Sequence, residues 1–403
     1  MRRALVFALL MVTLSDCAFV RLKSEVARIN KAAWVLGVVE GDIEGDAPMF
    51  LVHLVGQKKR AIQRLLPTTP EFDLVVRLGE VNDVAAFQDL DGDLIYDPGE
   101  PCGFMAQLEG LESLGKKAVE LPPLILDRKA LLPVTLDLSH ARSSPGGTVG
   151  EIVPLNDPRY EEDRVSEGMW TPFRATRRGD HGIHFLEPHQ AGRLPVLFIH
   201  GINGSPRNFE KLIEHLDRTK YEPWVAYYPS GIRLPVLSQI LAGLLIRLKE
   251  SYDVPRIFIV AHSMGGLVAR SALQQLAAKN QGALIAGLVT LDTPWGGHQS
   301  AATALEYVPE AVPSWIDMAP GSKFLKSLPE PRVSVPHHLF FGVGGRISRY
   351  DENNDGVVTI ESQLVRWAQD QAKSLTGFDE SHMGMLQSAE VEAKLWPILE
   401  AAR

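Results

Sequence analysis

A serine lies between an apolar run and a segment with helical spacing, a context that can expose its hydroxyl as a nucleophile. The run is IFIVAH at residues 257–262, Ser263 follows it, and MGGLVAR begins at the next position. A tight strand-to-helix turn requires small neighbours, here Ala261 and Gly265, because larger side chains would collide with the strand and the helix. The helix N-terminus offers unpaired N–H groups and a positive dipole to a developing oxyanion. The alternative is an ordinary turn that contains a serine.

The segment around Ser263 resembles the nucleophile elbow of the α/β-hydrolase superfamily, specifically of its lipase and esterase members that carry AHSMGG. Ala261 stands where the motif usually has its first glycine. The resemblance extends from Pro195 to the end of the chain. It implies a doubly wound, mostly parallel sheet and a serine hydrolase that uses Ser263 as its nucleophile.

A serine hydroxyl needs a base that accepts its proton. The resemblance implies the chain order serine, acid, histidine, and His382 in ESHMGMLQS fits the last place because it precedes the final helix. The fourth predicted strand is LIAGLVTLD at residues 284–292, and His298 follows it, too early in this order. The fifth predicted strand is HHLFFGVGG at residues 337–345, and His337 and His338 begin it and are expected to be structural. We therefore predict that His382 is the base.

Two aspartates are candidates for the acid that orients the histidine. Asp355 lies in YDENNDGVVTIES, in the loop after the fifth predicted strand, and Asp292 lies in VTLDTP at the end of the preceding strand. Lipases of this type carry their acid in a phrase similar to that around Asp355, and some carry it at the position of Asp292. Asp355 is the favoured acid. Its expected role is to hold the imidazole in the correct tautomer and to stabilise its charged form.

The phrase PVLFIHGINGSP at residues 195–206 contains the second motif of the resemblance. In lipases with this phrase, the residue after His-Gly donates one backbone N–H to the oxyanion, and the residue after the nucleophile donates another. These residues are Ile202 and Met264 here. Loss of one such donor typically costs about 10²–10³ in rate. This chemistry requires no cofactor.

An acidic loop in the N-terminal half has the ligand spacing of a twelve-residue calcium loop. Oxygen-bearing side chains occupy its positions 1, 3, 5, 9 and 12, namely Asp89, Asp91, Asp93, Asp97 and Glu100. Leu94 stands where such loops need glycine, and the flanks predict strands, so an EF-hand is excluded. A structural calcium site and a solvated acidic turn are the two alternatives. A partial match at residues 351–356 is interpreted as the acid loop.

The elements around these residues predict two folded units. Short β-rich runs over 33–138 predict a small antiparallel β-sandwich, which loosely resembles transthyretin-like or carboxypeptidase-regulatory-like domains. Alternating strands and helices over 191–403 predict the doubly wound sheet. We further predict a leader at 1–17, a stalk helix at 18–32, a linker and lead-in at 139–190, and a lid insertion at about 298–330.

The lid segment mixes Ala, Val, Met, Trp and Pro without a strand pattern, and long insertions at this point usually cover the active site. Trp295, Tyr307, Trp315 and Met318 are candidates for lining an acyl pocket. Ordinary packing of short helices against the sheet is the alternative. An apolar pocket would suit a carboxylic ester with a hydrophobic acyl chain.

The N-terminus predicts export. Arg2 and Arg3 precede an uncharged apolar run of 11 residues at 4–14, whereas a membrane-spanning helix needs about 20. This arrangement is typical of a secretory signal, and its end, LSDC, resembles a bacterial lipoprotein signal. The resemblance implies that Cys17 is acylated and anchors the protein on a membrane surface of the cell envelope. Asp16 departs from the small residue of that pattern, and an ordinary signal peptide of a periplasmic or secreted protein is the alternative.

Composition narrows the possible partners. The chain has 41 Lys+Arg and 49 Asp+Glu, and its formal net charge of −8 argues against nucleic acid as a partner. Two cysteines, Cys17 and Cys102, exclude a disulfide framework. We expect a hydrophobic acyl ester as substrate and a carboxylic ester hydrolase as activity. The alternatives are an acyltransferase or deacylase of lipids or glycolipids with the same residues, and a non-catalytic surface-binding protein.

Overall fold

The computed structural model describes residues 16–56, 58–65, 67, 70–114, 116, 118–139, 148–307, 310–345 and 353–403. Positions 1–15 of the predicted leader, most of the predicted linker core and residues 346–352 of the acid loop lie outside the described residues. Among the helices that the structure describes, none combines the length and the apolar character that crossing a membrane requires.

The N-terminal unit is built from two four-stranded sheets, β4-β1-β7 with β8 also on β1, and β3-β2-β5-β6. Alternate side chains of β2 enter two different cores: Leu51 packs with Val35 and Val84, whereas Val52 packs on the opposite face with Phe87. The predicted small β-sandwich is confirmed. Its strands are β1 Ala32–Gly41, β2 Met49–Val55, β3 Lys58–Leu65, β4 Glu71–Arg77, β5 Asn82–Gln88, β6 Cys102–Met105, β7 Val119–Glu120 and β8 Leu124–Leu126.

The second unit contains an eight-stranded sheet in the order β16-β15-β14-β13-β11-β12-β10-β9. Among the strand pairs that the structure describes in this sheet, β10–β12 is antiparallel and the others are parallel. The central strands are buried along almost their whole length, which explains their continuous apolar runs. The predicted mostly parallel α/β sheet is confirmed. Its strands are β9 Thr148–Ile152, β10 Gly182–Phe185, β11 Leu194–Ile199, β12 Tyr221–Tyr227, β13 Ile257–His262, β14 Ile285–Leu291, β15 His337–Gly342 and β16 Ser374–Phe378.

Helices cover both faces of the large sheet. The long apolar helices α5 and α6 bury one face, and α4 and α12 bury the other. The helices are α1 Asp16–Asn30, α2 Glu162–Trp170, α3 Pro172–Arg178, α4 Glu210–Glu214, α5 Leu234–Tyr252, α6 Met264–Ala278, α7 Gln299–Tyr307, α8 Pro313–Met318, α9 Lys323–Ser327, α10 Ile360–Gln363, α11 Arg366–Gln371 and α12 Ala389–Ala402.

The large sheet begins on the N-terminal side of the predicted boundary at 191. Strands β9 and β10 lie within 139–190, which the sequence analysis interpreted as linker and lead-in, and both pair into the sheet. β9 is an edge strand with a partly exposed surface, so it lacks the apolar run that marks the buried strands.

The predicted stalk helix packs against the body of the protein. Leu22 and Ile29 of α1 are buried, and the buried carboxylate of Glu25 accepts a hydrogen bond from the Arg174 amide in α3 at 3.0 Å. The same carboxylate pairs with Arg28 at 2.9 Å. The helix is therefore part of the folded unit, because its apolar face has a partner that the local sequence does not show.

Candidate active site

Ser263 occupies a strained turn between β13 and α6. Its φ of +54° and ψ of −127° fall in a region that residues other than glycine rarely adopt, and such strain concentrates at functional sites. Its amide donates to the Leu291 carbonyl at 2.8 Å, which ties the turn to the end of β14. A Cβ at Gly265 would lie 2.5 Å from the carbonyl oxygens of Ile199 and His200. The helix can therefore follow the strand this closely only with glycine at 265.

Two further glycines shape the turn, and the sequence analysis did not single them out. A Cβ at Gly266 would lie 2.0 Å from Thr293 Oγ1, and one at Gly201 would lie 2.9 Å from Ser263 Cβ. The nucleophile candidate is thus enclosed by the loop after β11 and the loop after β14. The double glycine of SMGG could have indicated the close contact at Gly266 from the sequence.

His382 follows β16 and donates from Nδ1 to Asp355 Oδ2 at 2.6 Å. The His382 amide also donates to the Asp355 carbonyl at 2.7 Å, so the two loops are joined twice. Asp355 is fully buried, and its Oδ1 accepts the amides of Val357 and Val358 at 2.7 and 2.6 Å. The structure therefore brings the predicted acid and base together, with the carboxylate oriented by its own loop.

Asp292, the alternative acid, lies beside the same imidazole. It directly follows β14 and has a φ of +52°, and its Oδ1 accepts the Gly342 amide at 2.6 Å. Its Oδ2 is 3.7 Å from His382 Nδ1, too far for a hydrogen bond. Burial, and then the charge of Asp355, raise the pKa of Asp292 well above its ordinary value. Asp355 is thus the direct partner of His382, and Asp292 lies immediately behind.

His262 connects the turn at Ser263 to the loop of His382. Its Nε2 donates to the main-chain carbonyl of His382 at 3.0 Å, and the two rings pack with centroids 4.5 Å apart. Burial lowers the pKa of His262 well below its ordinary value, so the ring is neutral. Ser263 and His382 are therefore carried by the same edge of the sheet. The sequence analysis missed this role, because a histidine before the serine gives no indication of which loop it contacts.

The other histidines have different partners. His337 Nε2 lies 2.8 Å from Thr290 Oγ1, and His338 Nδ1 lies 2.7 Å from Ser374 Oγ, contacts between neighbouring strands that agree with the structural role expected for both. His298 accepts the Ser300 amide at 3.2 Å.

The amides predicted to bind an oxyanion have no acceptor among the described residues: neither Ile202 N nor Met264 N donates a hydrogen bond within that part of the chain. The loop that carries Ile202 is fixed from both sides. Tyr228 stacks on His200 with centroids 4.2 Å apart and donates from its hydroxyl to the His200 carbonyl. Asn203, at a φ of +49°, donates its amide to Ser230 Oγ at 3.0 Å. Such fixed, unpaired donors are what an oxyanion requires.

The predicted lid contains α7, α8 and α9. Arg233, at the start of α5, makes two 2.7 Å hydrogen bonds to the buried carboxylate of Asp317 in α8. A cleft of about 290 Å³ lies between the start of this segment and the acid loop, lined by His298, Val357 and Thr359 among others.

The expected acyl-pocket residues do not act as one group. Trp295 is buried between the rings of His337 and Trp367, at 5.5 and 5.3 Å, so its proposed place in a pocket is wrong: the ring faces the core behind the sheet. Trp315 packs edge-on against Trp170 at 5.8 Å, and Met318 is buried. The side chain of Tyr307 lies outside the described residues. Trp295 therefore packs as an ordinary core residue, which is the alternative given above.

The acidic loop of the sandwich gathers two groups of carboxylate oxygens, each within 4.8 Å: Asp89, Asp91 and Glu100, and Asp91, Asp93 and Asp97. Several of these oxygens already accept backbone amides. Asp89 accepts those of Gly92 and Leu94, and Glu100 accepts those of Leu90 and Asp97. The loop is stable as a network of turns, and calcium binding there stays a prediction.

His262, Asp292 and His382 also bring ring nitrogens and carboxylate oxygens within 4.8 Å of one another, a spacing that a metal ion could use. The nitrogens nearest the site are engaged, however, since His262 Nε2 donates to a carbonyl and His382 Nδ1 donates to Asp355. The observed hydrogen bonds therefore favour proton transfer over metal binding at this edge.

A family model described as a PGAP1-like alpha/beta domain matches residues 236–309, which contain Ser263. Among curated protein sequences, none matches the chain. A similar solved structure is the mature lipase BlEst2 of Bacillus licheniformis, at 21% identity, with 53% of this chain and 94% of that chain covered and a TM-score of 0.42. Another is the product of gene lin2722 of Listeria innocua, at 17% identity, with 52% and 94% covered and a TM-score of 0.39.

A third similar structure is MGS-MChE2, an α/β hydrolase from the metagenome of sediments of the Mar Chica lagoon in Morocco. It is 16% identical, with 52% of this chain and 91% of that chain covered and a TM-score of 0.37. The mostly parallel eight-stranded sheet and the strand–turn–helix at Ser263 are observed in this structure itself. From Thr148 onward, the chain carries the α/β-hydrolase fold.

Proposed function

We propose that the protein is a serine hydrolase of lipase or esterase type that cleaves carboxylic esters through an acyl-enzyme. The observation that carries the proposal is the 2.6 Å hydrogen bond from His382 Nδ1 to Asp355, made at the sheet edge that also holds the strained Ser263. Because Asp355 accepts from Nδ1, the neutral ring has its lone pair on Nε2 and can accept a proton there.

The proposed reaction has two halves. Ser263 Oγ attacks the ester carbonyl while its proton passes to His382 Nε2, and the amides of Ile202 and Met264 hydrogen-bond the oxyanion. The imidazolium then protonates the leaving alcohol, and the acyl group remains on Ser263. Water attacks this acyl-enzyme and gives its proton to His382. The imidazolium then returns that proton to Ser263 Oγ as the bond between Oγ and the acyl carbon breaks, which releases the carboxylic acid. Every proton is returned, so no cofactor or external base is consumed.

The substrate is proposed to be an ester with an apolar acyl chain. Apolar side chains flank the residues of the proposed triad: Val357, two residues beyond the acid, is 43% exposed, and Met383, next to the base, is 48% exposed. Apolar surface beside an active site favours an apolar ligand. Transfer of the acyl group to an acceptor other than water would use the same residues, and product analysis with candidate alcohols separates the two reactions.

Labelling with a fluorophosphonate probe tests the proposal, because such probes phosphonylate an activated serine. We expect the wild type to label and Ser263→Ala to fail. Ser271→Ala, on the same helix, is the matched control and should label like the wild type. A folded wild type that does not label would contradict the proposal and favour a non-catalytic binding protein.

We also propose that Cys17 carries lipid and holds the protein on a membrane surface of the cell envelope. The LSDC phrase supports this proposal. Radiolabelled palmitate should enter the wild-type protein in bacterial cells and should be absent from Cys17→Ser. Labelling of neither protein would argue for an ordinary signal peptide, and equal labelling of both would exclude Cys17 as the site of the lipid.

A further inference from the structure

Asp292 has a geometry that an ordinary structural aspartate does not need. Its φ of +52° lies in the left-handed region, which is costly for residues with a side chain. The residue is completely buried, and its Oδ2 accepts no hydrogen bond within the part of the chain that the structure describes. A buried oxygen without a donor destabilises the folded state. Strain and an unpaired acceptor therefore coincide at one carboxyl, 3.7 Å from His382 Nδ1.

The groups that face Asp292 explain how this oxygen is tolerated. Asp355 approaches from the loop after β15, His382 and Glu380 from the loop after β16, and His262 from the end of β13. Burial, then the negative charge of Asp355, raise the pKa of Asp292, and Glu380 adds to the effect. Two adjacent buried carboxyls cannot both ionise easily, so the charge of Asp355 favours the protonated form of Asp292.

We propose that Asp292 and Asp355 form a two-carboxyl acid site on His382, in which Asp292 is a second positioning residue that can replace Asp355. This inference rests on the proposed serine-hydrolase function. In the wild type, one negative charge is shared by the two carboxyls and balances the imidazolium, and the proton of Asp292 is not transferred. When residue 355 is neutral, Asp292 releases its proton to solvent, and its Oδ2 becomes the acceptor for the Nδ1–H of His382.

A double-mutant cycle in the full-length protein tests this proposal. A serine hydrolase with a single acid loses about 10⁴ in kcat when that acid becomes an amide. We expect Asp355→Asn to retain at least about 10-fold more kcat/KM than Asp355→Asn/Asp292→Asn, and Asp292→Asn alone to cost less than about 10-fold. Asp370→Asn, an acid on the exposed surface of α11, is the matched control and should match the wild type.

The pH profile gives a readout that a purely structural role would not change. The acid limb of the Asp355→Asn profile should lie at higher pH than that of the double variant, since only the single variant depends on ionisation of Asp292. If the double variant is no less active than Asp355→Asn, the proposal is overturned. If the wild type is folded but neither labels nor turns over, the proposed function fails instead.

Infrared spectroscopy tests the two-carboxyl site even where activity is absent. A buried, protonated carboxylic acid has a carbonyl stretch that a carboxylate lacks. Because the pKa of Glu71 is also raised, to about 7, the spectra are recorded at about pH 9, where that acid is ionised. We expect the band in the wild type and a loss of its intensity in Asp292→Asn. Absence of the band from the wild type, or equal intensity in folded Asp292→Asn, would overturn the two-carboxyl site.

Discussion

His262 donates a hydrogen bond from Nε2 to the main-chain carbonyl of His382, at 3.0 Å, so the residue before Ser263 fixes the loop that carries His382. Burial lowers the pKa of His262, and the charge on His382 lowers it further. His262 therefore stays neutral when His382 becomes an imidazolium. The contact is maintained through the proposed reaction without a second positive charge beside the base.

Replacement of this ring tests its role in positioning. His262→Phe keeps an aromatic ring and removes the N–H donor, which frees the loop at His382. We expect kcat to fall about 10- to 100-fold with little change in KM, because small misplacements of a catalytic group cost about this much. Steady-state kinetics with a nitrophenyl ester measure the effect. His338→Phe, a neighbouring-strand histidine, is the control, and a wild-type kcat for His262→Phe would show that the contact is dispensable.

The space at two glycines predicts opposite effects of the same substitution. Gly265→Ala would place a Cβ 2.5 Å from two backbone oxygens, so the strand and helix must separate. We expect a loss of about 1–3 kcal/mol or more in the free energy of unfolding. A Cβ at Gly243, inside α5, meets no atom within 4 Å, and Gly243→Ala should gain up to about 1 kcal/mol from helix propensity. Urea midpoints compare the pair, and equal shifts would contradict the close approach at 265.

The ion pair between Arg233 and Asp317 is expected to hold the lid segment. Asp317 is only 2% exposed, so Arg233→Gln leaves a buried carboxylate without its cation and should cost about 3–5 kcal/mol. Asp317→Asn should cost less, since the 24% exposed Arg233 can be hydrated. Urea denaturation gives the two losses, and limited proteolysis should cut the 298–330 segment faster in Arg233→Gln. An unchanged proteolysis rate would mean that other contacts hold α8.

The parts of the fold that could be predicted from the sequence are the strands that are buried on both faces. Strands β11 to β15 are covered on both faces, so each forms an apolar run that stands out locally. The edge strands β9 and β16 keep exposed or half-exposed residues and give no such run, and β9 lay in the predicted lead-in. The packing of the predicted stalk helix could not be predicted for a related reason, because its partner, α3, lies more than 140 residues further along the chain.

The candidate site also has features that local motifs predicted and features that they could not predict. Ser263 and the chain order of acid and base could be taken from local motifs, and the structure places Asp355 and His382 in contact. No local pattern could show that Asp292 faces the same imidazole, because the two acids follow different strands and meet only where the carboxyl ends of those strands meet. Trp295 was misplaced because an aromatic side chain after a strand has the same sequence signal on either side of the sheet.

A half-buried acid between the two units, Glu71, predicts that the free energy of unfolding depends on pH. Burial and a hydrogen bond with Glu250 raise the pKa of Glu71 from 4.5 to about 7, although Arg247 opposes the shift. The fold therefore favours the protonated acid, and stability falls as pH rises from 4.5 to about 7. Glu71→Gln should raise the urea midpoint at about pH 8 and leave it unchanged near pH 4. Glu210→Gln, at an exposed position, should match the wild type at both values, and an equal gain for Glu71→Gln at both would refute titration of Glu71 as the cause.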